Sequence, residues 1–545
     1  MSAQRVQILV ISTLGLVATG ASAMPIETGS DLRLSWDNSI QLTLVDQPGT
    51  SWYGPAGSCA PGSEYPLPTE RYTCAARSGL ISDRLDWLSR VTMSYQDVGL
   101  QLSSAAWYDP AYDSWKKQGR VAGAGAAADQ YFAASSTEPS GDIELFDAFV
   151  YGTTSLGTDQ PLSFRLGRQV ALWGESLYFV DNGIAAGQAP IDTYRYQTGG
   201  YYQANQALLP VGQASFSWQP MAALAVIGYY QFEWRASRIS PYDAYDSTAT
   251  MLGSSYTQQI VLPIPGGQPV AYDRISDRDP GSTDQFGLGL RGHQGDFDWG
   301  LYGLSFNAKT PDLYFYPPDR PYPANIGSYA LVYPKGIETF GVSLAGPLGD
   351  ASFGAEISAR RNMPLVNAGI VLLPPAGFSA DNDDHPRYPV GDTLHGQFSW
   401  IYTTPPLPGI PGGANWTGEV AANDLLGTTA NADQLIPGRT HAAAALRSVF
   451  EPQFFQVWPR FDLTLPVGFG YNFLGLSEVD PSMNRGTADL TIGATLTFDQ
   501  SWKFGLSATH YFGETGNTAL PLGQTGTRRA LDDGDFLALS IARSF

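Results

Sequence analysis

Apolar and polar residues alternate one for one over long stretches of this chain. In Leu490–Phe498 every even position is apolar (Leu490, Ile492, Ala494, Leu496, Phe498) and every odd one is small or polar. Successive side chains of a strand point to opposite faces, so such a segment has one greasy face and one wet face. The pattern returns in Phe286-Leu288-Leu290, Phe340-Val342-Leu344, Phe353-Ala355-Ile357-Ala359, Phe461-Leu463-Leu465-Val467-Phe469 and Trp502-Phe504-Leu506-Ala508. A soluble β-sandwich alternates too, but two features argue against one. The segments run to about 10 residues, the length a tilted strand needs to cross a bilayer. The connections also alternate in length. Short turns fall at Gln96-Asp97, Gln219-Pro220, Gln294-Gly295, Pro347-Leu348-Gly349 and Asp499-Gln500-Ser501. Long loops lie near 46–81, 110–141, 171–210, 236–282, 308–336, 362–392, 423–440, 470–486 and 513–535. Short periplasmic turns and long extracellular loops mark an outer-membrane barrel. The expected fold is therefore all-β: one closed antiparallel transmembrane barrel of about 16–18 strands over 24–545, with both termini in the periplasm. Alternation is weakest in the first strand, Leu32–Val45, and in the pair around 393–422.

The two chain ends fit an exported barrel. Phe536–Phe545 alternates, puts Leu537, Leu539, Ile541 and Phe545 on one face, and closes on phenylalanine. It resembles the C-terminal signature that the barrel-assembly machinery of the outer membrane recognises, so that machinery is an expected partner. Arg543 stands where an apolar residue is usual, and near the interface it can snorkel toward the headgroups. At the other end, Arg5, the apolar run Ile8–Ala18 and the small residues Ala21-Ser22-Ala23 read as a signal peptide over 1–23, cleaved after Ala23. No later segment offers the ~18 apolar residues of a transmembrane helix.

Composition sharpens this picture. Charged residues are only 15%, while glycine (60) and aromatics (12%) are plentiful, as a barrel with a lipid face and aromatic girdles requires. The net charge of −20 repels nucleic acid and removes that partner class. The two cysteines, Cys59 and Cys74, share one Gly/Pro-rich stretch of an exported chain, which points to a loop-closing disulfide.

Little else carries chemistry. Gly287–Gly292 matches the dinucleotide-binding string but lies inside an alternating strand with no helix after it. Asn415-Trp416-Thr417 is a sequon without meaning in a bacterial barrel. The five histidines show no metal-ligand spacing, and no nucleophile elbow is present. No catalytic residue, cofactor or metal is expected, and the chain reads as a non-enzyme. Asp381-Asn382-Asp383-Asp384 reads as a solvated loop tip rather than a calcium loop, since the glycine and terminal glutamate of an EF-hand are missing.

The informative stretch is 162–210. A strand begins at Leu162, and a loop of about 40 residues follows that carries Trp173, Leu177, Tyr178, Phe179, Ile191 and Leu208. Such a loop is costly if left in water, so it should pack. It either folds into the barrel as a plug or constriction, or packs over the barrel top for stability alone. In the first case Arg165, Arg168, Trp173, Glu175, Asp192 and Arg195 are the lumen candidates, with both arginines turned inward and paired with Glu175 and Asp192. Arg165 reaches the lumen because it opposes Phe164 and Leu166 on the strand; Arg168 reaches it through a bulge after Gly167.

Several strings in this region resemble a proteobacterial outer-membrane family known as domain of unknown function 1302. They are Ser104–Tyr112, Phe146–Val150, Leu166-Gly167-Arg168-Gln169, Trp173-Gly174-Glu175-Ser176, Pro190-Ile191-Asp192, Leu208-Leu209-Pro210 and Tyr229–Arg235. The resemblance spans most of the mature chain. It implies an outer-membrane protein linked to efflux-type inner-membrane transporters and to hydrophobic compounds. It carries over no catalytic residues. Three functions remain open on the sequence. The barrel passes or binds a hydrophobic or amphipathic small molecule, as the apolar loop runs Leu313–Pro318 and Val366–Pro375 suggest; or it is a polar-solute porin; or it is a surface barrel that transports nothing.

Overall fold

In the computed structural model the described residues run from Met24 to Phe545, except 27–30, 54–63, 67–70, 74, 112–140, 193–206, 239–258, 263–269, 317–325, 368–370, 374–378 and 514–534. Cys59, Cys74 and Arg195 fall among the exceptions, so the expected disulfide and one lumen candidate lie outside the described residues.

Eighteen antiparallel strands close into a barrel. The first six are β1 (Leu32–Tyr53), β2 (Ala75–Tyr95), β3 (Val98–Tyr108), β4 (Gly141–Ser155), β5 (Pro161–Gln169) and β6 (Val211–Met221). Next come β7 (Leu224–Gln231), β8 (Phe286–Gln294), β9 (Phe297–Phe306), β10 (Ile337–Leu348), β11 (Ala351–Pro364) and β12 (Val390–Thr403). The last six are β13 (Ala414–Ala430), β14 (Ala442–Trp458), β15 (Phe461–Thr464 and Val467–Leu474), β16 (Thr487–Phe498), β17 (Trp502–Gly513) and β18 (Phe536–Ser544). Each pairs with its sequence neighbour, and β1 pairs with β18 from Ser39↔Ser544 to Asp46↔Leu537, so no edge remains. β15 is interrupted because Pro466 has no N–H to give the ladder. The strand number is the upper end of the expected range. The two segments of weakest alternation are both real strands: β1 runs past Val45 to Tyr53 through two register shifts, and β12 and β13 pair from Val390 to Thr403.

The faces are inverted relative to a soluble protein. Leu288 and Ile357 on the outside are each 58% exposed, while Glu356 and Arg360 on the inside are 4% and 1% exposed. That distribution is stable only when the outer solvent is hydrocarbon. No helix of the described residues is long and apolar enough to cross a membrane, so the crossing is made by strands. Arg543 on the outer face lies between two rings, 5.0 Å from the Trp502 centroid and 5.3 Å from that of Phe545. Its charge is thus spent on ring faces at the membrane edge. Phe545 exchanges both backbone hydrogen bonds with Asn38, which ties the last residue to the first strand.

The described parts of the apolar loop runs pack in a sheet of their own. Asp312–Tyr316, Ile326–Val332, Val270–Arg274, Gln259–Leu262 and Val371–Leu372 form a separate five-stranded sheet. Leu313, Phe315, Tyr329 and Leu331 pack on one of its faces, and Tyr314, Ala330 and Val332 on the other. Both faces are buried, which is why these strands read as unbroken apolar runs. Asp381 accepts hydrogen bonds from the backbone of Asp383 and His385, and Asp383 pairs with Lys335. The acidic tip therefore closes its own loop.

Candidate functional site

Between β5 and β6 the chain leaves the wall and crosses the lumen. Its partners there come from the far side of the barrel. Glu356 on β11 accepts N–H of Glu175 at 2.8 Å and N–H of Ile184 at 2.9 Å. One carboxylate oxygen of Glu419 on β13 accepts three consecutive amides, those of Leu177 (3.1 Å), Tyr178 and Phe179 (3.0 Å). A turn of 3₁₀ helix, Val180–Asn182, brings Asn182 against two strands, β12 and β13. Its amide donates to Gln397 and to the Ala422 carbonyl, while its oxygen meets His395 Nδ1 at 3.0 Å and accepts from Asn423 at 3.2 Å. Arg360 donates to the Gly183 carbonyl at 2.8 Å, and the Tyr178 hydroxyl meets Thr417 at 2.7 Å. These bonds satisfy irregular backbone that would otherwise be stranded inside the barrel.

Apolar contacts seat the near end. Trp173 and Ile184 pack with Ile227, Tyr229, Tyr302 and Leu304 of the wall. Trp173 and Tyr229 meet edge to face at 4.9 Å. The glycine string of β8 belongs to this bed: a Cβ at Gly287 would lie 2.8 Å from the Trp173 ring, and one at Gly341 of β10 2.7 Å from Ile184. The glycines are therefore small-residue seats for the crossing segment. The far end is fixed by charge. Asp192 pairs with Arg238 at 3.0 Å, and Arg238 and Arg235 both pair with Glu144 of β4, at 2.6 and 2.7 Å.

The expected pairing among the candidates is corrected by this geometry. Arg168 does not turn inward. The ladder runs through Phe149↔Gly167 and Ala148↔Arg168 without a register shift, so Arg168 shares the outer face with Phe164 and Leu166. It pairs with Glu233, which also accepts from the Gly212 amide. Arg165 does face the lumen, but its guanidinium lies 5.7 Å from the Phe149 ring centroid rather than on a carboxylate of the segment. Glu175 sits beside Glu356 and within reach of the Ser343 hydroxyl, at 3.3 Å. Burial, and then the Glu356 carboxylate, push the Glu175 carboxyl up to about 7 against the pull of Arg291. Trp173 lies inside, its ring packed on apolar and aromatic side chains and its amide donating to Gln188 at 2.7 Å. Sequence reading missed Glu356, Glu419, Arg360, His395 and Asn423. Their signal was present: ionisable and amide side chains at lumen-facing positions of single strands, where small or hydroxyl residues are more usual.

A closed barrel with an apolar exterior, short turns at the terminal end and one inward segment defines an outer-membrane β-barrel of porin-like build. The chain belongs to the family described as "Protein of unknown function (DUF1302)", whose model matches residues 5–545. Solved structures of similar fold include the outer membrane channel DcaP of Acinetobacter baumannii, with 9% identity, 96% of this chain and 99% of that chain covered, and a TM-score of 0.39. They also include OccAB4 of the same organism (7% identity, 96% and 99% covered, TM-score 0.42) and OccD3 of Pseudomonas aeruginosa (10% identity, 96% and 93% covered, TM-score 0.39). No curated protein matches the chain in sequence.

Proposed function

We propose that this barrel is a narrowed channel for small amphipathic molecules, with the segment from Trp173 to Leu209 as its constriction. The observation that carries the reading is the set of bonds from Glu175–Ile184 to β11, β12 and β13, which hold the segment across the bore. The opposite wall supports passage. Its inward residues on β16, β17 and β18 include many small or hydroxylated ones, among them Thr491, Ser507, Thr509, Ala538 and Ser540. Elsewhere on the wall, Arg165 beside Phe149 offers a cation that suits the polar head of an amphipathic solute. The apolar loop runs no longer argue for a fully hydrophobic cargo, because their described residues pack in and against their own sheet.

A polar-solute porin is the second reading, favoured by the ionic pairs that line the bore, such as Arg84–Asp86 and Arg447–Asp489. Planar-bilayer recording separates the two. Deleting 176–206 should raise steady ionic conductance severalfold. In the parent protein, amphipathic solutes should interrupt the current and sugars should not. A deletion that folds normally and conducts no better than the parent removes the constriction from the argument. On the same reading, an inner-membrane transporter would deliver or collect the solute at the periplasmic mouth, and cross-linking in cells would identify it.

A further inference from the structure

Just above the end of β9, Lys309 is buried in the roof of the barrel, 6% exposed. Its backbone carbonyl accepts the Ser237 amide, and the Ser237 hydroxyl accepts the amide of Ile191. The lysine is thus walled in by the exit of the crossing segment. Its ammonium has one partner among the described residues, the Gln285 side-chain oxygen. Among the described residues it forms no ion pair with a carboxylate. A buried ammonium carries three donors and is expensive to keep charged without an anion.

The neighbouring amide makes the deficit specific. Gln285 turns its oxygen to Lys309, so its nitrogen is fixed on the other side of the same group, and that buried nitrogen has no acceptor. Flipping the amide would set nitrogen against nitrogen and lose the one bond the lysine has. Two kinds of N–H donor therefore flank the single Gln285 oxygen, an ammonium with protons to spare and an amide nitrogen with no acceptor. A ligand with two oxygens on one carbon spans such a pair.

We propose that Lys309 and Gln285 form a binding site for a carboxylate, at which small organic acids are held on the extracellular side of the crossing segment. The charge balance favours it: the carboxylate neutralises the ammonium and takes the free amide protons, which no residue of the described chain does. Burial pulls the Lys309 amine down to about 7. A bound anion would raise it again, so binding and protonation are coupled. The site does not depend on whether solutes pass through the bore.

The probe is acetate, observed by saturation-transfer NMR on the full barrel in detergent, with chloride at equal ionic strength as the background. The signal is expected at pH 6 and should fall as pH rises past about 7, as the amine loses its proton. Lys309→Met should lower the acetate affinity about tenfold or more, because the ion pair is then gone. That variant also removes a buried charge, so its folding is checked by the heat-modified migration typical of intact barrels. Gln285→Leu should weaken binding less, and Arg165→Ala, in the lumen, should not change it. Absence of an acetate signal at every pH overturns the site, as does equal binding by parent and Lys309→Met. Bilayer conductance of Lys309→Met should match the parent. A changed conductance with unchanged acetate binding would count against the carboxylate site while leaving the channel reading intact.

Discussion

Replacing Glu419 by alanine should detach the crossing segment without unfolding the barrel. One Glu419 oxygen holds three successive amides, and the residue itself is fully buried. Removing it strands three donors. A buried donor without a partner costs about 1–3 kcal/mol, and lumen water recovers part of that, so the low end, about 3 kcal/mol for the three, is the reasonable figure. That weakening raises the detached fraction by a factor on the order of 10². The backbone ladders from β12 through β14 do not use the side chain, so the barrel's own thermal transition should move little. Hydrogen exchange read by mass spectrometry is the assay. Peptides covering 173–188 should exchange faster in Glu419→Ala, with strand peptides unchanged, and single-channel current should rise or flicker. Glu419→Gln keeps one acceptor oxygen and should fall between parent and alanine. Unchanged exchange at 177–179 in the alanine variant would refute the reasoning, because those amides have no other acceptor among the described residues.

Three further outcomes are expected. Glu175 has its carboxyl raised to about 7, so the folded state holds its proton more tightly than the free chain does. Its contribution to seating the segment is full below its ordinary value and is lost as pH rises through about 7, when two carboxylates face each other. Corrected for the intrinsic rise of amide exchange with pH, exchange at 173–188 should therefore quicken from pH 6 to pH 8 in the parent, and less so in Glu175→Gln. Arg168→Met removes a part-exposed pair with Glu233 on the outer rim, so stability should fall by only about 0–1 kcal/mol and conductance should stay the same; a clear change in ion selectivity would return Arg168 to the lumen. Cys59 and Cys74 should be found linked when peptides are mapped without reductant, and alkylation of both in the native protein would defeat that pairing.

The barrel was legible in the sequence because its signal is local. A strand with lipid on one side and the lumen on the other must alternate residue by residue, so Leu490–Phe498 or Phe536–Phe545 betrays its two faces without knowledge of any partner. The unusual richness of the loop at 171–210 was legible for the same reason: its apolar content could not stay in water. What the loop touches was not. Leu177 meets Glu419 across 242 positions and Glu175 meets Glu356 across 181, distances at which only barrel closure brings groups together. Nearness in the chain suggested instead that Arg168 would meet Glu175, but an unbroken register kept Arg168 outside, and Asp192 found Arg238 on a different loop. Likewise an apolar loop run looks the same whether it binds a ligand or another loop. Only the outer sheet, with both its faces covered, decides that Leu313, Tyr314 and Phe315 hold the roof together. Local periodicity determined which side of the wall each residue faces; the closed tertiary structure alone determined which buried charges and amides meet inside it.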